Sequence, residues 1–555
     1  QERPYVERGG SRGNGVSEVS LSWRSARPSK EFMNTVQPAM FDISMHVLGD
    51  IACNRLGKEL RREGIPYADI VYDYVNASQT PEHESFTIKA YVSDKDIDRT
   101  MDIMTSVMAS LDGAGASVNE YRVSRSGFLD KLHEFSSAPL YDLSKYSDRC
   151  VSAFLYNSSL ASPKERLEFH QSRNLHDTTS LRFFNDIASA LLDGSANIAI
   201  GCPSEVSRDV LLARTDSIWK ADRASSIVRS SAPNLKDTVS FPGTAPKCKL
   251  KSSMKDHLSG GSVWTFANGF KVVYRKMPSS GRIYYNLALN GGFGGIGNLS
   301  AGEGAFISDY LEQCYVAGLK GSDFKNILMA EGVTMTVKVN LSNTMISGHA
   351  PNGKASLLMR SLLALANDRR PDPESFSYYM ECQDMLLKYN EGTSLARMTA
   401  IDSIMCPGYI YSTYKSPGKL TAALADKAEE FYSEQFGKMN DGVLVIVGDI
   451  NEESLKKTLS GYVGGFRTKE VAFRRPVVKY QPVSGWSTYT ADGIRNTIDV
   501  VMSARMPLTS ANYAASVIAA LIMEQKISET AAEEGMSTMV SCNFKIYPEE
   551  RFNII

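Results

Sequence analysis

No stretch of this 555-residue chain stays apolar for the roughly 18 to 20 residues that a membrane-spanning helix needs. The longest candidate, Ala514 to Met523, has the length of a buried helix. Neither sign of charge dominates, since 61 Lys and Arg stand against 62 Asp and Glu, for a formal net charge of −1. That balance excludes the basic footprint with which proteins engage nucleic acid, and the cluster Lys247, Lys249, Lys251 reads as solvated linker. Cysteine is sparse, with eight residues and no two in C-x-x-C spacing, which excludes a zinc knuckle and a redox pair. A chain of this size builds its core without disulfide staples, so buried free thiols are expected. The start, Gln1-Glu2-Arg3-Pro4, is polar and leads into no apolar segment of signal-peptide type. The compartment therefore stays open between periplasmic or secreted and cytosolic.

What is present is a steady alternation of strand and helix signals. At on the order of 150 residues per domain, the length predicts three or four domains. Tyr67 to Val75 and Glu84 to Val92 are rich in β-branched and aromatic residues, as strands are. Glu31 to Arg62 reads as two helices broken near Gly49-Asp50. From Arg223 to Gly260 apolar periodicity disappears among Ser, Pro, Gly and Lys, which marks a linker. Beyond it, Trp264 to Tyr274 and Ile283 to Leu289 read as strands around the turn Met277 to Gly281. Ala301 to Ala317 and Pro373 to Tyr389 read as helices, and Gly442 to Gly448 as a strand in mid-sheet, because its apolar run is continuous. The fold class is α+β, built of repeated sandwich domains with helices on mixed, mainly antiparallel sheets. The divisions are residues 1–222, a linker at 223–260, residues 261–465 and residues 475–555.

One pattern recurs. Leu60-Arg61-Arg62-Glu63-Gly64-Ile65-Pro66-Tyr67 closes a helix and opens a strand, and Ala531-Ala532-Glu533-Glu534-Gly535-Met536-Ser537-Thr538 does the same near the end. Aligning Gly64 with Gly535 sets Ala532 against Arg61, Glu533 against Arg62 and Thr538 against Tyr67. Two related domains, or two unrelated hairpins that each need a glycine turn, would both give this pattern.

These residues resemble the pitrilysin/insulinase family of zinc metallopeptidases, which includes mitochondrial-processing-peptidase-like chains. The Leu60–Tyr67 turn is similar to the family's LRE(E)G…Y element. Phe266 to Tyr274 is similar to its N-G-x-x-V strand, and Asn440 to Ile450 to its strand ending in V-G-D. The resemblance implies pitrilysin-like clamshell halves, with residues 1–222 like the second domain, 261–465 like the third and 475–555 like a truncated fourth. It also implies zinc in the parent enzyme, held by an H-x-x-E-H on a first domain. In that motif two histidines one helical turn apart reach a single tetrahedral ion.

None of the seven histidines here, at 46, 83, 133, 170, 176, 257 and 349, stands in such a motif. On the family pattern Asp309 and Gln313 take the histidine positions and Glu312 remains, so the third-domain motif is degenerate and this chain holds no metal and no catalytic residue. His133-Glu134 reads as a surface pair. Glu374 and Glu381 loosely match the family's distal acidic helix. In active relatives an arginine and a tyrosine help grip the substrate; Arg61, Arg62 and Tyr67 keep that pattern and are the candidate peptide-binding residues, with a charged helix end and a packed strand start as the alternative. The expected role is the non-catalytic wall and peptide-binding surface of an endopeptidase. Its partners would be a peptide or unfolded polypeptide, added as a strand on a sheet edge, and an N-terminal catalytic domain. The alternative is a pseudo-peptidase serving as scaffold or partner subunit.

Overall fold

A computed structural model describes residues 6–9, 15–33, 35–75, 83–137, 143–156, 158–172, 177–194, 196–201, 207–225, 230, 245–391, 394–405, 409–411, 423–469, 485, 498–536, 538–546 and 551–555. The chain divides into two compact units, residues 1–389 with 415–477, and residues 390–414 with 478–555.

The first unit holds two large sheets. Its N-terminal sheet comprises β1 (Val6–Gly9), β2 (Val16–Ala26), β3 (Tyr67–Val75), β4 (His83–Ser93) and β5 (Asn197–Gly201) in the order β1-β5-β2-β4-β3. β2 and β4 pair antiparallel along their whole length, from Val16 opposite Ser93 to Ala26 opposite His83. Alternate residues of β4, Phe86, Ile88, Ala90 and Val92, are fully buried, as a strand with one covered face requires. Leu48, Ile51, Leu56 and Leu60 of the Gln37–Arg62 helix share that core with Met101, Met104 and Met108 of the Ile97–Ala114 helix.

Inside this layer the Arg55 guanidinium is 2% exposed and makes four hydrogen bonds to three groups. It donates to Glu120 through Nε at 2.8 Å and Nη2 at 2.9 Å, to the Gly115 carbonyl at 3.0 Å and to Ser110 at 3.3 Å. Glu120 also accepts from the Ser117 amide at 2.8 Å. The pair is thus bidentate and otherwise satisfied, the condition under which a buried charge pair is tolerated.

The second sheet follows from β6 (Leu250–Lys255), β7 (Ser262–Phe266), β8 (Lys271–Lys276) and β9 (Arg282–Asn290). After β10 (Cys314–Val316) and β11 (Leu319–Lys320) come β12 (Thr336–Val339), β13 (Asn343–Pro351), β14 (Arg369–Pro371) and β15 (Gly442–Gly448). Seven of these form the order β12-β13-β9-β15-β8-β7-β6, while β11-β10-β14 make a small separate sheet. β15 is the central strand, parallel to β8 and antiparallel to β9. In the second unit, β16 (Met502–Arg505), β17 (Phe544–Ile546) and β18 (Arg551–Ile554) pair in the order β16-β18-β17 beside the Ser510–Glu533 helix, which Thr509 caps.

The recurrent turn has the same geometry in both copies. Gly64 has φ 68°, with Ile65 N–H bonded to Leu60 O at 2.9 Å and Gly64 N–H to Arg61 O at 3.1 Å. Gly535 has φ 69°, with Met536 N–H to Ala531 O at 2.8 Å and Gly535 N–H to Ala532 O at 3.1 Å. This is the 6→1 and 5→2 helix stop that demands a left-handed residue, hence glycine. A third copy, absent from the sequence alignment above, is Glu331-Gly332-Val333. There Gly332 has φ 72°, and Val333 N–H reaches Leu328 O and Gly332 N–H reaches Met329 O, both at 2.9 Å.

Four sequence expectations need correction. The Gln37–Arg62 helix runs unbroken through Gly49; that glycine is there for close approach, because a Cβ on it would lie 2.2 Å from the Tyr72 ring. Leu250–Lys255, assigned to linker, is the edge strand β6. All six of its residues are exposed, so no burial period could mark it. Ala301 to Ala317 forms no α-helix. Two 3₁₀ segments, Glu303–Phe306 and Ser308–Gln313, run into β10. Gly302 and Gly304 weaken the first turn. The Tyr432 hydroxyl then occupies the Ile307 carbonyl at 2.8 Å, and the Cys314 thiol that of Tyr310 at 3.4 Å. Cys150 is exposed, against the expectation of buried thiols, whereas Cys248 and Cys314 are buried. Of the 223–260 linker, residues 226–229 and 231–244 fall outside the described residues.

Two substitutions test this packing. Gly49→Ala, which in an open helix stabilises by about 0.5–1 kcal/mol, should here destabilise by about 1–3 kcal/mol in urea unfolding because of overpacking against Tyr72. Arg55→Met should destabilise by about 3–5 kcal/mol, and the double variant with Glu120→Leu should recover most of that loss.

Candidate functional site

One helix, Pro373–Tyr389, touches both segments singled out by sequence. Its Tyr378 hydroxyl donates to the Ile65 carbonyl at 2.7 Å, and its ring lies 6.4 Å from that of Tyr67. The Arg61 guanidinium sits 5.4 Å from the centroid of the same ring. Burial pushes the Tyr67 hydroxyl up to about 12 and raises that of Tyr378, so both stay protonated at neutral pH. Arg61 Nη2 is buried without a hydrogen bond. Arg62 instead faces solvent at 67% exposure and pairs with Glu59 at 2.6 Å. Arg61 and Tyr67 therefore meet at Tyr378, and Arg62 is not part of that cluster.

The next residue of the helix, Tyr379, donates to Asp309 Oδ2 at 2.6 Å. Burial, with Asp309 alongside, raises the Tyr379 hydroxyl far above its ordinary value and fixes it as a donor. Glu312 is exposed and pairs with Lys325 at 2.6 Å. The two acids are thus committed to different partners. The 3₁₀ backbone adds a geometric reason: at about three residues per turn, side chains four apart point about 120° from one another, against about 40° in an α-helix. Asp309 and Gln313 do not share a face. Glu374 and Glu381 are exposed on the Pro373–Tyr389 helix. Among the described residues, no three His, Cys, Asp or Glu side chains come together in a way that could hold a metal ion.

A second constellation was not visible in the sequence. The Val118–Ser137 helix faces β9 and β13 across a cleft of about 860 Å³ lined by Asp130, Lys131, His133, Arg282, Tyr284 and His349, among others. Asp130 accepts from Arg282 Nη1 at 2.8 Å and lies 3.3 Å from His349 Nε2. His133 Nδ1 is 3.3 Å from the Tyr284 hydroxyl. Burial, helped by Arg282 and His349, holds the His133 imidazole below its usual value, so it is neutral at pH 7. The signal available was Asp130-x-x-His133, two polar residues on one helical face; their partners lie about 150 positions further along, where no local pattern points to them.

No family model matches the sequence, and no curated protein matches it. Solved structures do. A mutant of the ferredoxin protease FusC in complex with Arabidopsis ferredoxin is 12% identical, with a TM-score of 0.51 over 100% of this chain and 61% of that one. The periplasmic protease PqqL from Escherichia coli is 15% identical, with a TM-score of 0.44 over 100% of this chain and 62% of that one. Pitrilysin is 12% identical, with a TM-score of 0.41 over 80% of this chain and 46% of that one. The chain thus spans about three fifths of the length of the first two. Identities this low speak to fold alone, and the fold is pitrilysin-like, an α+β arrangement of sheets covered by helices.

Proposed function

We propose that this chain is the non-catalytic portion of a zinc-dependent endopeptidase, forming chamber wall and peptide-binding surface for hydrolysis carried out by a domain bearing H-x-x-E-H. The observation that carries the reading is the match of the whole chain to three fifths of a protease fold, joined to a motif segment whose acids serve internal contacts. FusC is described in complex with a protein, ferredoxin, which supports a polypeptide as the material handled.

Zinc does not fit the residues at 309–313. Asp309 is held by Tyr379 and Glu312 by Lys325, and the amide of Gln313 is a weak ligand. The metal of the parent enzyme would therefore sit on residues outside this chain. Arg61 and Tyr67 remain the proposed peptide contacts, with the Arg61 Nη2 donor unspent.

A second reading, a pseudo-peptidase scaffold, is favoured by one feature. The helix stop at Gly535 keeps the geometry of that at Gly64 yet carries Ala532, Glu533 and Thr538 in place of the arginines and tyrosine. The encoded sequence upstream of Gln1 separates the two: an H-x-x-E-H there supports the peptidase, and a gene without one supports the scaffold.

Two measurements test the proposal. A fluorogenic polypeptide should survive incubation with residues 1–555 alone and be cut once an H-x-x-E-H domain from the same gene is supplied. Cleavage by the isolated chain, abolished by chelator, would overturn the reading. The variant D309H/Q313H should retain no more zinc after dialysis than the parent, by emission spectrometry, because the 3₁₀ backbone splays the two side chains. One zinc per chain in that variant would contradict the geometry.

A further inference from the structure

The cleft between the Val118–Ser137 helix and strands β9 and β13 has an unequal stock of donors and acceptors. Asp130 is spent, because Arg282 and His349 both face its two oxygens. Arg282 makes its hydrogen bond to Asp130 through Nη1, and its Nε and Nη2 make none among the described residues. It is only 18% exposed and anchored at one corner, so the remaining N–H edge of a planar fork is held ready. Lys131 lines the same cleft, is exposed and makes no ion pair among the described residues. His349 Nδ1 is buried without a hydrogen bond.

The rim is rigid as well as polar. Ser280 carries a left-handed φ of 52° in the turn between β8 and β9, a conformation that persists only where the surroundings impose it. The neighbouring Ser279 hydroxyl accepts from the Asp449 amide at 2.8 Å, pinning the turn to the end of β15. Glu134 is the one further acid among the lining residues, and it is exposed. A cation entering this space would meet Arg282 and Lys131. A carboxylate would meet a fork edge and an ammonium.

We propose that this cleft binds the C-terminal carboxylate of a peptide, with Arg282 as the principal donor and Lys131 in support. The peptide nature of the ligand rests on the function proposed above; the carboxylate recognition rests on the cleft alone. A fork offering two parallel N–H groups suits a planar carboxylate better than a point charge does. Losing a charge-assisted hydrogen bond of this kind weakens binding on the order of tenfold to a hundredfold.

The test uses the 555-residue chain, an N-acetylated hexapeptide with a free C-terminus, the same peptide as its C-terminal amide, and acetate. The acid form should bind at least about tenfold more tightly than the amide and move the imidazole resonances of His133 and His349 in NMR spectra. Acetate should compete with it. R282Q should remove the preference for the acid. Because that change strips Asp130 of its main partner, K131M provides a second variant, expected to weaken the acid form several-fold and leave the amide unchanged while the melting temperature stays constant. Equal binding of acid and amide, with both imidazoles unmoved, would overturn the cleft as the site and leave peptide binding elsewhere on the chain intact. Imidazole shifts with acetate but with neither peptide would overturn the peptide ligand.

Discussion

Two consecutive tyrosines on one helix constrain both sequence segments that invite a functional reading. Tyr378 ties the turn at Ile65 and shares its ring with Arg61 and Tyr67, while Tyr379 ties Asp309. Neighbouring residues on a helix diverge by about 100°, so one helix can brace two elements on adjacent faces at once. The same helix packs against the first sheet, with Met385 on Ala68 of β3 and Tyr389 on Tyr91 of β4.

The segment proposed as a degenerate metal motif departs from a metal-binding helix in its backbone as well as in its side chains. Where a metal-binding helix needs its ligands four apart on one face, the Glu303–Gln313 segment winds too tightly to offer that face. Its carbonyls are taken by Tyr432 and Cys314, its one buried acid, Glu303, by Lys427 at 2.8 Å. These contacts make the segment a packing element of the second sheet's helical layer, which agrees with a supporting role and with the separate commitment of Asp309 and Glu312.

Much of the framework could be read from residue order alone. The continuous apolar run of Gly442–Gly448 announced a strand flanked on both sides, and it is the centre of seven. Glu63-Gly64 and Glu534-Gly535 announced a repeated helix stop, and both glycines adopt the left-handed conformation. The third copy at Gly332 escaped because its helix is ten residues long and carries neither arginine nor tyrosine nearby. Gly49 misled because a glycine in mid-helix normally signals a break, and the ring that explains it arrives from Tyr72, a strand away. The cleft was illegible for a similar reason: Asp130 and Arg282 are 152 positions apart, and their meeting is a product of tertiary structure.

The proposal turns on Asp309, Glu312 and Gln313 holding no zinc. Isothermal titration of residues 1–555 with Zn²⁺ at pH 7.5 tests it most directly. The account predicts no saturable heat and no proton release attributable to residues 309–313. A one-to-one isotherm with proton release, lost on Asp309→Ala and retained on substitution of His133 or His349, would contradict it.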